Sequence, residues 1–244
     1  MSITKRQEEI LTLLYENIYL SVEKLSELTF TSPSSIRRDL TKLQNMSLLK
    51  RTHGGAEIVD ENNSVPPFNN RITKNNIAKK KIAKKASVLL CDGISIMLDG
   101  SSTSSFLIPF IAKNKNIKLF TNNMLTAINA SNYGISTHCI GGEVLNSSAI
   151  LCSEDSYHQV QNIHPDIFFF SSYGIDENGI ITDPTQEENY LRFLMLSQSK
   201  TNIFLCDSGK FNRKSLYTLT TINDVDKDVF DEQFDGLHTT CEVL

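Results

Sequence analysis

The stretch Ser32-Pro33-Ser34-Ser35-Ile36-Arg37-Arg38-Asp39-Leu40 puts two guanidinium groups beside three hydroxyls. A guanidinium is a planar fork that pairs bidentately with guanine or grips a phosphate, and hydroxyls supply further phosphate donors. A second set of polar residues is dispersed over four loops, each behind an apolar run: Asp99-Gly100-Ser101-Ser102-Thr103, Thr121-Asn122-Asn123, Gly141-Gly142-Glu143 and Asp207-Ser208-Gly209-Lys210. Ser101, Ser102 and Thr103, with the backbone amides beside Gly100, suit a phosphate, and Lys210 adds a point charge. Asp99, Asp207 and the asparagines suit sugar hydroxyls, which need both acceptors and donors. One loop of this kind is an ordinary loop. Four behind four strands point to a small polar or phosphorylated ligand.

The elements that must position the arginines follow from spacing. Ile3, Gln7, Ile10, Leu11 and Leu14 predict a helix over roughly residues 3–16. Ser21 is an N-cap for a short helix carrying Val22, Leu25 and Leu28. Ser32 caps a third, with Pro33 at its first position and Ile36, Leu40 and Leu43 as its core-facing stripe. Ser34, Ser35, Arg37 and Arg38 are left off that stripe. Leu48–Thr52 and Ala56–Val59 read as strands around the turn His53-Gly54-Gly55. Helices followed by a hairpin make a winged helix-turn-helix, an all-α domain with a β wing, over residues 3–58. In that motif the second helix enters the major groove with its N-terminal residues at base edges. Ser32, Ser34, Ser35, Arg37 and Arg38 are therefore assigned to DNA, and Lys50, Arg51 and His53 to a wing on the backbone phosphates. The bland alternative is that Arg37 and Arg38 are ordinary surface residues and that Asp39 merely neutralises some of their charge.

Residues 59–74, with Asn62-Asn63 and Pro66-Pro67, read as a linker. Between Arg71 and Lys85 lie Arg71, Lys74, Lys79, Lys80, Lys81, Lys84 and Lys85 without one acidic residue, and Ile77, Ile82 and Ala86 predict a largely helical segment with a solvated cationic face. Over residues 75–244 strand patterns at 94–98, 118–120, 137–140, 167–170 and 203–206 alternate with helical ones at 104–112, 125–131 and 188–198. That alternation predicts an α/β domain with a largely parallel sheet, whose carboxyl ends gather the four polar loops.

Composition narrows the class. The 244 residues, 40% hydrophobic and 21% charged, are those of a globular protein of one or two domains. The net charge of −4 requires that any nucleic-acid binding come from a local basic surface. Five scattered cysteines without a C-x-x-C pair suit a reducing compartment, and isolated histidines give no support to a metal centre. No signal-like apolar run opens the chain and no segment reaches membrane-spanning length, so a cytoplasmic protein is expected.

Ser32-x-x-Ser35-Ile36-Arg37-Arg38-Asp39-Leu40, with Leu43 and then His53-Gly54-Gly55-Ala56, resembles the signature of the DeoR family of bacterial transcriptional regulators. Thr31 and Ser35 replace that signature's valine and threonine. The resemblance extends through Asp99-Gly100-Ser101-Ser102-Thr103, Thr121-Asn122, Gly141-Gly142 and Asp207-Ser208-x-Lys210-Phe211 to the family's effector domain, which is similar to ribose-5-phosphate isomerase and glucosamine-6-phosphate deaminase. It implies a sensor of a phosphorylated sugar whose binding releases operator DNA, a homo-oligomer, no cofactor, and repression as the commoner mode. It also places Arg192 at the ligand, where the family commonly carries lysine. The family closes with an apolar strand, whereas Asp224-Val225-Asp226-Lys227-Asp228 here leads into an acidic end. Two other classes stay open. One is a phosphosugar isomerase or deaminase using Asp99, Glu143, Asp176 or Asp207 for proton transfer; the other is a dimerisation platform that binds nothing.

Overall fold

The computed structural model describes residues 3–17, 19–46, 48–57, 67–145, 149–237 and 242–243. The chain divides into two units, Met1–Lys74 and Asn75–Leu244.

In the first unit, α1 (Lys5–Asn17), α2 (Val22–Leu28) and α3 (Pro33–Asn45) bury one shared apolar face built from Ile10, Leu14, Leu25, Ile36, Leu40 and Leu43. Both anticipated caps form. The Ser21 hydroxyl accepts the Lys24 N–H at 3.1 Å and the Ser32 hydroxyl accepts the Ser35 N–H at 3.4 Å, with Pro33 opening α3. β1 (Tyr19–Ser21), which sequence did not suggest, joins β2 (Lys50–Thr52) and β3 (Gly55–Glu57) in an antiparallel sheet ordered β1-β3-β2. A Cβ on Gly55 would stand 2.4 Å from the Leu20 carbonyl, so the added strand is possible only with glycine there.

Two sequence expectations change. Asp39 is not a surface counter-charge: it is buried, and its carboxylate accepts from Arg6 Nε at 2.6 Å and Gln7 Nε2 at 2.9 Å, pinning α1 to α3. The last part of the expected linker is α4 (Phe68–Thr73), with Phe68 and Asn70 buried and Asn70 Nδ2 donating to the Leu48 carbonyl at 3.3 Å. One aromatic anchor in a polar run was enough to fold it. Ile58, Val59 and the linker through Pro66 lie outside the described residues.

The second unit opens with α5 (Asn76–Ala86), separate from α4 because Asn75 takes the left-handed conformation, φ +53°. Its strands include β4 (Ser95–Leu98), β5 (Lys118–Thr121), β6 (Ser136–Cys139), β7 (Val144–Leu145), β8 (Ile150–Leu151) and β9 (Ile167–Phe170). After them come β10 (Gly174–Ile175), β11 (Ile180–Asp183), β12 (Thr201–Cys206), β13 (Tyr217–Thr221), β14 (Lys227–Phe230) and β15 (Glu242–Val243). Seven form one parallel sheet ordered β15-β14-β12-β9-β4-β5-β6. Phe168 and Phe170 pack on one face and Phe169 on the other, as a strand buried on both sides requires. The acidic end is therefore not simply a tail, because Lys227–Phe230 continues the sheet beside β12.

The connecting helices are α6 (Ser102–Ser105), α7 (Ile108–Ile111), α8 (Met124–Asn132), α9 (Glu154–Val160) and α10 (Gln186–Gln198). The helix expected over 104–112 is split between α6 and α7. Pro109, near the start of α7, has no N–H to continue a hydrogen-bond ladder and is tolerated at a first turn. β10-β11-β13 and β7-β8 form two small antiparallel sheets that the strand patterns did not reveal.

Candidate functional site

The start of α3 is an exposed, hydroxyl-rich and cationic surface. Ser32, Ser34, Arg37 and Arg38 are exposed and Ser35 is half-buried. The Ser32 hydroxyl donates to Ser35 Oγ at 3.0 Å, and Arg38 reaches the same oxygen at 3.4 Å. Arg37 stands 3.7 Å from exposed Glu23, a pairing that water screens heavily. Lys50 pairs with Glu57 at 3.2 Å on the hairpin, and His53 is exposed at its turn. Arg51 departs from the wing reading. Its guanidinium donates to Thr41 Oγ1 at 2.9 Å and its backbone N–H to Gln44 Oε1 at 3.0 Å, so it folds back on α3.

In the second unit the loops after β4, β9 and β12 bring two lysines together. Lys79 on α5 is buried and donates to Ser102 Oγ at 3.1 Å. Lys210 donates to Ser171 Oγ at 2.7 Å and reaches Thr103 Oγ1 at 3.4 Å. Asp207 lies 3.8 Å from Lys210 and accepts from Asn75 Nδ2 at 2.6 Å. Burial works to raise the Asp207 pKa, but Lys210, the Asn75 amide and Lys79 outweigh it and the carboxyl is held below its usual value. Ser102, Thr103, Asp207 and Lys210 are thus assembled as the sequence suggested.

Lys79, Asn75 and Ser171 were missed. Lys79 departs from the solvated-face reading, and a signal was present. It sits on the same side of α5 as buried Ile82, Ala83 and Ala86, at offsets of three, four and seven.

Asp99 and Ser101 do not face a ligand. Asp99 Oδ1 accepts from the Ser101 N–H at 3.2 Å, the Ser101 hydroxyl at 2.6 Å and the Ser104 hydroxyl at 2.8 Å. Its Oδ2 accepts from the Ser171 N–H and from Arg192 Nε, each at 3.1 Å. A carboxylate offers about four lone-pair sites, so nothing remains for a sugar hydroxyl. Asp99 is the brace that shapes the loop, and Ser101 caps α6 by accepting the Ser104 N–H.

Arg192 is likewise enclosed, bonded to Asp99 and Asp183 and 3.8 Å from Glu188. Burial alone would weaken its charge, but Asp183, Asp99 and Glu188 hold it protonated. Burial also pushes the Asp183 carboxyl up to about 6 against the opposing pull of Arg192. Arginine's several donors answer three carboxylates at once, which a lysine point charge would not do as well.

The second and third loops, residues 121–123 and 141–143, are mainly structural. Thr121 Oγ1 accepts the Asn123 N–H, and Asn123 Oδ1 caps α8 by accepting the Thr126 N–H at 2.9 Å. Asn122 Nδ2 donates to the Leu151 carbonyl at 3.3 Å, while its buried Oδ1 has no hydrogen-bond partner among the described residues. Gly141 donates its N–H to Gln159 Oε1 at 3.0 Å. A Cβ on Gly142, at φ +141°, would fall on the Ser156 hydroxyl. Both glycines thus serve the seating of this loop on α9.

Residues 6–62 match the DeoR-like helix-turn-helix domain and residues 74–232 the DeoR C terminal sensor domain. The chain belongs to the DeoR family of transcriptional regulators. It is 31% identical over 223 residues to the HTH-type transcriptional regulator GolR of Listeria innocua, covering 91% of this chain and 88% of that one. It is 33% identical over 244 residues to the L-fucose operon activator of Haemophilus influenzae, with 97% and 96% covered. It is 27% identical over 226 residues to the transcriptional repressor GlcR of Bacillus subtilis, with 91% and 86% covered.

Among solved structures, eIF2B delta from Chaetomium thermophilum shares the fold at a TM-score of 0.50 and 15% identity, over 84% of this chain and 65% of that one. Ribose 5-phosphate isomerase A from Methanocaldococcus jannaschii reaches a TM-score of 0.43 at 16% identity, over 57% and 55%. Among the described residues no helix is long and apolar enough to cross a membrane.

Proposed function

We propose that this DeoR-family regulator is a cytoplasmic repressor of a carbohydrate-metabolism operon, that it binds its operator as a homo-oligomer through α3, and that a phosphorylated sugar in the Lys79–Lys210 site releases it. The convergence of two lysines on adjacent hydroxyls carries the reading. Lys79 donates to Ser102 and Lys210 reaches Thr103, so each hydroxyl oxygen accepts from a cation and keeps its own proton to give to an anion. A dianionic phosphate suits that arrangement better than a neutral sugar. The relative GlcR is a transcriptional repressor, which supports this direction of control, while the L-fucose operon relative is an activator.

An enzymatic role is less well supported by the same atoms. Asp99 is saturated with donors, Asp207 is engaged by Lys210 and Asn75 and held below its usual pKa, which makes it a weak base, and Asp176 Oδ1 accepts the N–H groups of Asn178 and Ile180 to close a turn. A proton-transfer base needs a carboxylate with a free face towards the substrate.

The experiment is titration of the full chain, bound to duplex DNA selected by it from a randomised library, with matched phosphorylated and unphosphorylated sugars. Release by one phosphorylated sugar alone, lost in Lys79→Ala and Lys210→Ala while DNA affinity is kept, is the expected result. Release by the unphosphorylated sugar with equal potency would overturn the phosphate assignment.

A further inference from the structure

The turn between α2 and α3 breaks a local rule. The Thr31 N–H donates to the Ser26 carbonyl at 3.0 Å and the Phe30 N–H to the Glu27 carbonyl at 3.4 Å, the paired bonds that end a helix with one left-handed residue. That residue is Phe30, at φ +50°. Glycine is favoured there because a Cβ in the left-handed region crowds the backbone, and asparagine is the usual second choice. The other described non-glycine residues at positive φ are three asparagines, Asn75, Asn116 and Asn212, and one small residue, Ala149. Phe30 is also 97% exposed, so its ring gains almost nothing from its own fold. A strained backbone carrying a solvated phenyl ring is costly twice over within the free chain. The compensation must lie in something the ring touches.

Its position says what. Phe30 stands two residues before Ser32, the N-cap of α3, whose first turns expose Ser32, Ser34, Arg37 and Arg38. We propose that Phe30 is an operator-contacting residue whose ring packs on the apolar surface of the duplex beside the α3 contacts, adding affinity that no charge supplies. Two sources of that surface exist in DNA, the thymine C5-methyl in the major groove and the deoxyribose edge. This inference rests on α3 facing the duplex.

The test uses the full chain and a duplex it selects from a randomised library. Phe30→Asn and Phe30→Gly relieve the left-handed strain, so their melting temperature stays level or rises. Their affinity is expected to fall about five- to tenfold, equivalent to about 1 kcal/mol, with the salt dependence unchanged because no counterion is released by an apolar contact. Phe30→Tyr keeps the ring and is expected to keep the affinity. Deoxyuridine in place of thymidine separates the two sources: a wild-type loss absent from Phe30→Asn assigns the methyl, and no change assigns the sugar. Unaltered affinity in Phe30→Asn overturns the inference. Arg37→Ala with Arg38→Ala is the control for its premise: if that double variant also binds normally, α3 itself does not face the DNA, whereas if it alone fails, only the role of the ring is wrong.

Discussion

Arg37 and Arg38 differ from Asp99 in what their bonding leaves over. Both arginines are exposed and only loosely engaged, Arg38 with Ser35 at 3.4 Å and Arg37 with Glu23 at 3.7 Å. Replacing either with alanine should therefore cost little fold stability and much DNA affinity. An arginine on phosphate should weaken all duplexes alike and reduce the salt slope by about one, whereas one on guanine should cost about 1–3 kcal/mol at a single base pair. Binding measured across salt on a set of point-mutated duplexes distinguishes the two. Asp99 is the opposite case, a buried carboxylate with every lone pair committed. Asp99→Ala should destabilise the second unit by about 3–5 kcal/mol, because Arg192 then stands buried with a partner missing. Denaturant unfolding should show that loss, and sugar binding should disappear with the loop that Asp99 braces.

Elements carry the next scale, and α3 depends on α1 through Asp39. Asp39→Ala removes the acceptor for Arg6 and Gln7 at once, and a buried donor deprived of its partner is costly. Amide exchange is expected to accelerate in α1 and α3 of this variant while the seven-stranded sheet keeps its protection; equal acceleration in both units would mean that Asp39 has no such local role. The helices of the first unit were legible because period and caps agree: Ser21 and Ser32 each begin an element whose apolar stripe follows at once. The anchor role of Asp39 was not, because a carboxylate beside two arginines reads as surface charge until α1 is placed against it. In the second unit the fully apolar strands such as Ile167–Phe170 were visible, while the short antiparallel pairs were hidden, Gly174–Ile175 being only two residues long. The site was half legible for a related reason. Loop chemistry pointed to Ser102, Thr103, Asp207 and Lys210, but Lys79 and Ser171 reach them from distant segments, and a short polar side chain does not announce whether it will cap a helix, as Ser101 and Asn123 do, or face a ligand.

At the scale of the molecule, protonation is a term in stability. Asp228 on β14 has no exposed surface, and neither of its carboxylate oxygens has a hydrogen-bond partner among the described residues. Burial pushes its pKa from 3.8 up to about 6. The folded chain therefore retains a proton that the unfolded chain has already lost between these values. The contribution to stability is greatest below the unfolded value and declines as pH climbs from about 4 to about 6. Asp183 works in the same direction, since burial raises it too, with Arg192 opposing. Asp228→Asn removes one titration while keeping shape. Its stability is expected to exceed that of the wild type at pH 7 by about 1–2 kcal/mol and to approach it at pH 4. Guanidinium unfolding at the two pH values checks this, and a difference independent of pH would show that Asp228 is not the group responsible.

The proposed regulation would join the two units thermodynamically, whatever path carries it. If a phosphorylated sugar weakens operator binding by some factor, operator DNA must weaken sugar binding by the same factor. A coupling of about 1–3 kcal/mol makes that factor about 5–150. The consequence separates a sensor from a competitor. A sugar phosphate that merely displaced DNA from the α3 surface would lose its effect with Arg37→Ala and Arg38→Ala, and its own affinity would fall with those arginines. A ligand held at Lys79 and Lys210 keeps its affinity for that double variant undiminished, because the arginines belong to the other unit. Calorimetric titration of the sugar into free wild type, DNA-bound wild type and the arginine double variant gives all three affinities. Equal affinity in the first and third, with a reduced value in the second that matches the loss of DNA binding, is the result expected of a coupled regulator. A lower affinity in the third would place the ligand on the DNA-binding surface instead.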